Sequence, residues 1–254
     1  MRMLRALVAL PLALVFLLLT FPVALLVRLV TWPFDPERTR VSRAMRALGQ
    51  GLVRCSPLWR VSVEGALPPP PGAFVVVPNH RSLVDALAVA FLPRDLKWIG
   101  KRSVFALPWL GWAFRLAGYV PVLRGDRGSG AGALRRLRRY LASGLPVGLF
   151  AEGTRSRDGS LRPFKAGPFK LAIEAGVPVY PVAITGAGEA MPADTLRLRP
   201  ALIRVRILPP VATAGLTVAD VDALREQVRA RLAEALDAPP PAGPTAPGSA
   251  GAAR

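Results

Sequence analysis

One histidine, one cysteine and three tyrosines in 254 residues leave this chain short of the side chains from which many sites are built. Cys55 and His80 alone cannot supply a zinc site, an iron–sulfur cluster or an internal disulfide within one chain, so no metal is expected and Cys55 reads as an apolar filler. Chemistry must rest on Ser, Thr, Asp, Glu, Lys, Arg or His80. Acidic groups are scarce as well: 16 Asp and Glu stand against 34 Lys and Arg, for a net charge of +18. Such an excess implies an anionic partner, whether nucleic acid, an anionic membrane or phosphorylated substrates. Aromatics make up 7% of the chain and are not interleaved with the basic residues, and no reading helix is recognisable, so nucleic acid is not an expected partner.

What the chain has in quantity is apolar sequence at its start. Ala6 to Val27 carries no charge over twenty-two residues, between Arg2 and Arg5 on one side and Arg28 on the other. As a helix this run spans about 33 Å, enough for a bilayer core. Pro11 and Pro22 leave two forms open, a spanning helix or a hairpin dipping into one leaflet. The run exceeds an ordinary signal-peptide core, and no small-x-small site follows it before Trp32-Pro33. Arg28, Arg38, Arg40, Arg43 and Arg46 lie just beyond it, which predicts an inner-membrane protein with its body on the cytoplasmic face. Residues 35 to 54 form an amphipathic basic pattern suited to the membrane surface. The expected organisation is therefore membrane-anchoring helices over 1–54, a globular domain over 55–237, and a disordered Pro/Ala/Gly-rich tail over 238–254.

Within the globular part, short β-branched runs alternate with helical stripes. Strands are expected at 61–63, 74–77, 97–99, 119–123, 145–150, 177–184 and 203–208. Helices are expected from about Ser82, on either side of Pro108, from Leu134, over Pro168–Ala175 and from Thr217, with a turn at Asp158-Gly159. The alternation indicates one α/β domain. Gly128-x-Gly130-x-x-Ala133 imitates a dinucleotide-binding turn, but Gly125 to Gly128 carry the chain away from the strand end first. Arg135 and Arg136 at the expected helix start also oppose its dipole.

The stretch AFVVVPNHRSLVDALAVAF, Ala73 to Phe91, holds the lone histidine and a carboxylate five residues after it. Positions i and i+5 of one helix lie roughly 140° apart, so His80 and Asp85 meet only if His80 precedes the first turn and folds back. Asp85 would then hold one ring nitrogen and leave the other as a base. The competing reading is a plain capping box, Ser82-x-x-Asp85, serving only the helix start. A second feature is Glu152-Gly153-Thr154-Arg155-Ser156 at a strand end. Its Gly-freed amides, its hydroxyls and Arg155 suit an anion, and Lys165 adds a charge. The competing reading there is a surface pair between Glu152 and Arg155.

Taken together, these segments resemble the lysophospholipid (1-acylglycerol-3-phosphate) acyltransferase family. NHRSLVD at Asn79 to Asp85 resembles its HX4D box, and Gly118 to Arg124 its second box with Pro121 in place of the aromatic. FAEGTRS at Phe150 to Ser156 is similar to the third box with Ala151 in place of proline, and VPVYPV at Val177 to Val182 to the fourth. The resemblance implies a single glycerolphosphate-acyltransferase-like α/β domain with a mostly parallel sheet flanked by helices. It also implies membrane attachment and acyl transfer from acyl-CoA or acyl carrier protein to a lysophospholipid, lysophosphatidic acid above all.

On that reading His80, oriented by Asp85, is the general base. Arg124, Arg155, Lys101 and Lys165, with Gly153 and Thr154 of the loop, hold the acceptor phosphate, and Glu152 orients the cations. No cofactor beyond the acyl donor is needed. Another lysolipid acceptor, such as a lyso-ornithine lipid or lysophosphatidylglycerol, remains open. So do a thioester or ester hydrolase and a non-enzymatic basic membrane-binding protein.

Overall fold

The structure is a computed structural model, and it describes residues 2–156, 159–193, 195 and 197–238. The expected tail, apart from Ala238, lies outside the described residues, as does Asp158 of the expected turn. The chain opens with α1, Arg2–Thr31, one uninterrupted helix that contains both Pro11 and Pro22. The hairpin alternative is thereby corrected. A proline costs a helix one amide bond and a local clash, whereas reversal would unpair several main-chain groups, and the flanking residues carry no glycine or turn signal. Val8–Thr31 is long and apolar enough to cross a membrane, and Leu10, Leu26, Leu29 and Val30 are exposed on it.

The reversal comes after Thr31 and is held by side chains. The Arg28 guanidinium donates to the Asp35 carbonyl at 3.0 Å and lies over the Trp32 ring. The Asp35 carboxylate accepts from the Thr39 amide and hydroxyl and from the Arg40 amide, so it satisfies free donors where α2, Thr39–Cys55, begins. The helix expected from residue 35 begins four residues later because 32–38 forms this turn. Helix α2 is also bolted to the domain rather than only laid on a surface. Arg43 and Arg46 both reach Asp95, at 2.9 and 2.8 Å, and Gln50 donates to the Ala90 carbonyl.

The remaining elements are β1 (Trp59–Glu64), β2 (Val75–Pro78), α3 (Asp85–Ala88), β3 (Lys97–Lys101), α4 (Leu110–Leu116), β4 (Val120–Val122) and α5 (Arg127–Ala142). They continue with β5 (Val147–Gly148), α6 (Gly167–Ala175), β6 (Val179–Thr185), α7 (Ala187–Ala190), β7 (Ala201–Ile207) and α8 (Val221–Asp237). The seven strands lie in the order β1-β7-β6-β2-β5-β3-β4, and every neighbouring pair is parallel except β6 with β7.

Strand β2 is central and buried on both sides, which is why it reads as an unbroken β-branched run. Val75 and Val77 face Leu137, Phe169, Leu224 and Val228 of α5, α6 and α8. Phe74 and Val76 face the other way, toward Val53 of α2 and Val84, Ala88 and Leu92.

Helix α5 starts seven residues before its apolar stripe suggested. The Asp126 carboxylate accepts from the Ser129 amide and caps it, and this outweighs the low helix propensity of Gly128, Gly130 and Gly132. Those glycines are helical, so no dinucleotide turn forms, and Arg135 and Arg136 sit in mid-helix rather than at its start.

Lys97 opens β3 and is 2% exposed. Its ammonium donates to the Arg38 carbonyl (3.0 Å), the Ser42 hydroxyl (2.7 Å) and the Ala117 carbonyl (2.8 Å), one partner for each N–H. It thereby joins the start of α2, the end of α4 and the sheet. Burial pulls it down from 10.5 to about 7, against the charges of Asp35, Glu37 and Asp95. Lys97→Met removes three hydrogen bonds from this buried joint and leaves Ser42 as the remaining donor to the Arg38 and Ala117 carbonyls, and should cost roughly 2–4 kcal/mol in denaturant unfolding of the detergent-solubilised protein. Unchanged stability would remove this joint from the account.

Candidate active site

Because β2, β3, β4 and β5 run parallel and adjacent, their carboxyl ends open onto one edge of the sheet. That edge collects Asn79 and His80 after β2, Lys101 at the end of β3, Arg124 after β4, and Phe150 to Ser156 after β5. Asn79 anchors the first of these. Its amide group donates to the Ile184 carbonyl and accepts from the Ile184 amide, at 2.9 and 2.7 Å, so the end of β2 is clamped to β6.

His80 precedes the helix, as the spacing requires, and the helix itself begins only at Asp85 rather than Ser82. The His80 Nδ1 lies 3.0 Å from Asp85 Oδ2. The same oxygen accepts the Arg81 amide at 2.6 Å and the Ser82 amide at 2.7 Å. Asp85 therefore serves the turn and the imidazole together, and the two readings of this stretch coexist in one carboxylate. The reciprocal half of a capping box is absent: the Ser82 hydroxyl accepts the Val84 amide at 3.2 Å instead of that of Asp85, and donates to the Met191 carbonyl. Asp85 Oδ1 is buried with no hydrogen-bond partner among the described residues, so its acceptance is concentrated at Oδ2. As a carboxylate, Asp85 accepts from Nδ1–H, which leaves the Nε2 lone pair of His80 as the basic atom.

Glu152 departs from its expected place. It is 5% exposed, and its two oxygens accept the His80 amide at 2.7 Å and the Arg162 amide at 3.2 Å. It positions the backbone of the histidine rather than forming a surface pair with Arg155 or orienting the cations. The Ser156 amide donates in turn to the His80 carbonyl at 2.9 Å, so His80 is held on both sides by the loop after β5. In that loop Gly153 has φ +69°, and a Cβ there would sit 2.6 Å from Cε of Lys165. Only glycine lets the Lys165 chain lie against the loop.

Arg124 is lowered by burial and then by the nearby charge of Arg155, so the guanidiniums that follow β4 and β5 lie close enough to influence each other. Lys101 is exposed and paired in register with Val122, next to Arg124, while Thr154 is exposed on the loop. Phe150 and Trp98 were not singled out from the sequence. Phe150 stacks on the His80 ring with centroids 4.2 Å apart, and Trp98 stacks on Phe150 at 5.7 Å. Apolar residues beside a motif carry no signal of their own in sequence, although Phe150 does stand at the head of the third box.

Burial, opposed by its two amide bonds, pushes Glu152 up from 4.5 to about 7, with the Asp85 charge acting in the same direction as burial. An acid raised on folding holds its proton more tightly in the native state. Its contribution is therefore favourable below pH 4.5 and is lost as pH rises through about 7. Relative to Glu152→Gln, wild type should lose on the order of 2–3 kcal/mol between pH 4.5 and pH 8 in unfolding measurements. A difference that stays constant with pH would show that Glu152 is not held proton-bound by its burial.

Comparison with known proteins identifies related chains. Residues 60–185 match the sequence model of the family described as Acyltransferase. A 1-acyl-sn-glycerol-3-phosphate acyltransferase of Chlamydomonas reinhardtii is 38% identical over 183 residues, 70% of this chain and 54% of that protein. Another of that name from Limnanthes douglasii is 32% identical over 207 residues, 78% of this chain and 70% of the relative. The chain spans about half the length of several such relatives. The crystal structure of the 1-acyl-sn-glycerophosphate acyltransferase PlsC from Thermotoga maritima matches with a TM-score of 0.78 at 26% identity, over 92% of this chain and 94% of that one. With the fold, the ordered boxes and these relatives in agreement, the chain belongs to the acyltransferase family of the 1-acyl-sn-glycerol-3-phosphate acyltransferases.

Proposed function

We propose that this protein transfers a fatty acyl group from a thioester, acyl-CoA or acyl carrier protein, to the free hydroxyl of lysophosphatidic acid, giving phosphatidic acid. The observation that carries the reading is the His80–Asp85 contact on the same sheet edge as the Arg124–Arg155 pair. A glycerol hydroxyl is a poor nucleophile at neutral pH and needs a base as it attacks.

His80 Nε2 takes the hydroxyl proton while the oxygen bonds to the thioester carbon. The tetrahedral intermediate then collapses, the carbon–sulfur bond breaks, and the imidazolium returns the proton to the departing thiolate. Ester and free thiol are the products, and the imidazole ends neutral. Asp85 keeps the ring oriented and offsets the transient imidazolium charge. Arg124 and Arg155, with Lys101, Lys165 and the loop at Gly153 and Thr154, bind the acceptor phosphate and bring the hydroxyl within reach of the base.

Helix α1 attaches the enzyme to the membrane that contains both lipids, and the arginines after it favour the cytoplasmic face of an inner membrane.

The test is purified protein with labelled acyl donor and a panel of lysolipids, read by product mass. His80→Ala and Asp85→Asn should lower kcat by about a hundred- to ten-thousandfold while the fold is retained. Arg155→Ala should instead raise the acceptor KM roughly ten- to a hundredfold. Release of free fatty acid at the same rate without acceptor would assign a hydrolase, and full activity in His80→Ala would end the proposal.

A further inference from the structure

We propose that Phe150, backed by Trp98, is a positioning residue that sets the plane of the His80 imidazole, a role that rests on the acyl-transfer reading for its consequence but not for its geometry. The hydrogen bond from Nδ1 to Asp85 fixes one atom of the ring. Glu152 and Ser156 fix the backbone of His80 on both sides. None of these contacts prevents the ring from swinging about the line from Nδ1 to Asp85, and that swing would carry Nε2 through an arc. A flat group against the ring face does prevent it. Phe150 supplies that group, with centroids 4.2 Å apart and planes 27° from parallel.

Phe150 is itself seated. Trp98 stacks on it at 5.7 Å and 29°. Trp98 is paired in register with Gly148, two residues before Phe150 on the same face of the chain leaving β5. A Cβ on Gly148 would fall 2.4 Å from the indole, so this position must be glycine for the indole to lie flat there. The absent side chain at Gly148, the indole of Trp98, the ring of Phe150 and the imidazole thus form one series across β3, β5 and the end of β2. The sheet is connected by it to the imidazole. The charge that arises on the imidazole when it takes the proton also meets the π face of Phe150, where a cation is favoured over a neutral ring.

Because His80 is the only histidine, its ring protons can be followed without assignment of any other imidazole. The experiment compares Phe150→Leu, Phe150→Tyr and Trp98→Leu in the full chain, in detergent, by NMR of the His80 ring and by steady-state kinetics with acyl-CoA and lysophosphatidic acid. Wild type should show His80 ring protons shifted upfield by the stacked ring. Phe150→Leu should abolish that shift and lower kcat about tenfold or more, with both KM values within about twofold. Phe150→Tyr, which keeps a ring in place, should restore both, and Trp98→Leu should give a smaller loss in the same direction.

The inference is overturned if Phe150→Leu leaves kcat unchanged, if its loss falls in KM, or if Phe150→Tyr is no better than Phe150→Leu. Loss of acyl transfer as the wild-type reaction would overturn the functional reading alone, since the ring shift and its dependence on Phe150 are read without turnover.

Discussion

A single carboxylate oxygen carries three of the interactions on which the site depends. Asp85 Oδ2 accepts two main-chain amides from the turn before α3 and faces Nδ1 of His80. This works because the helix begins after His80, at Asp85, so that the histidine lies outside it and the chain between them curls around the carboxylate. A helix that included His80 would have placed the two side chains well apart around its axis. The exclusion of His80 from α3 is therefore a requirement of the pair, and the end of β2 at Pro78, with Asn79 clamped to Ile184, leaves the histidine between strand and helix.

The sheet does the rest of the assembly. Four parallel strands end side by side, so residues as far apart in sequence as His80, Lys101, Arg124 and Glu152 arrive on one edge. Position on that edge then decides what each group does. Glu152 is drawn inward, where two amides claim it and burial raises it to about 7, whereas Arg124 and Arg155 remain outside and influence each other through their charges. Carboxylate and guanidiniums that look like partners in the sequence sit differently: Glu152 holds the backbone of His80, while Arg124 and Arg155 lie on the outer side of the edge.

The apolar N-terminus is coupled to this edge through packing rather than through a linker. Helix α1 packs on α2 and α4, and Phe21 meets Trp109 and Trp112 edge to face. Helix α2 is tied to the domain by Arg43, Arg46 and Gln50, and Lys97 joins its first turn to β3.

Much of this was legible in the residues. Strand and helix alternation, the apolar run of α1, the Pro108 break, the glycine stop of α6 and the capping box at Thr217 follow from local periodicity and turn chemistry, which operate over a few residues. The i to i+5 spacing of His80 and Asp85 even specified that the histidine had to lie outside the helix. Other features depended on partners distant in the chain. Whether Pro11 and Pro22 reverse α1, where α5 begins among its glycines, the inward turn of Glu152 and the burial of Lys97 were each decided by which main-chain donors and acceptors came within reach after folding. The stack of Trp98, Phe150 and His80 belongs to that second group, since it requires two strands to pair in register before any of its rings can meet. Local sequence determined the elements and the chemistry they carry, and tertiary structure decided their contacts, because hydrogen bonding and packing between distant residues exist only once the sheet has brought them together.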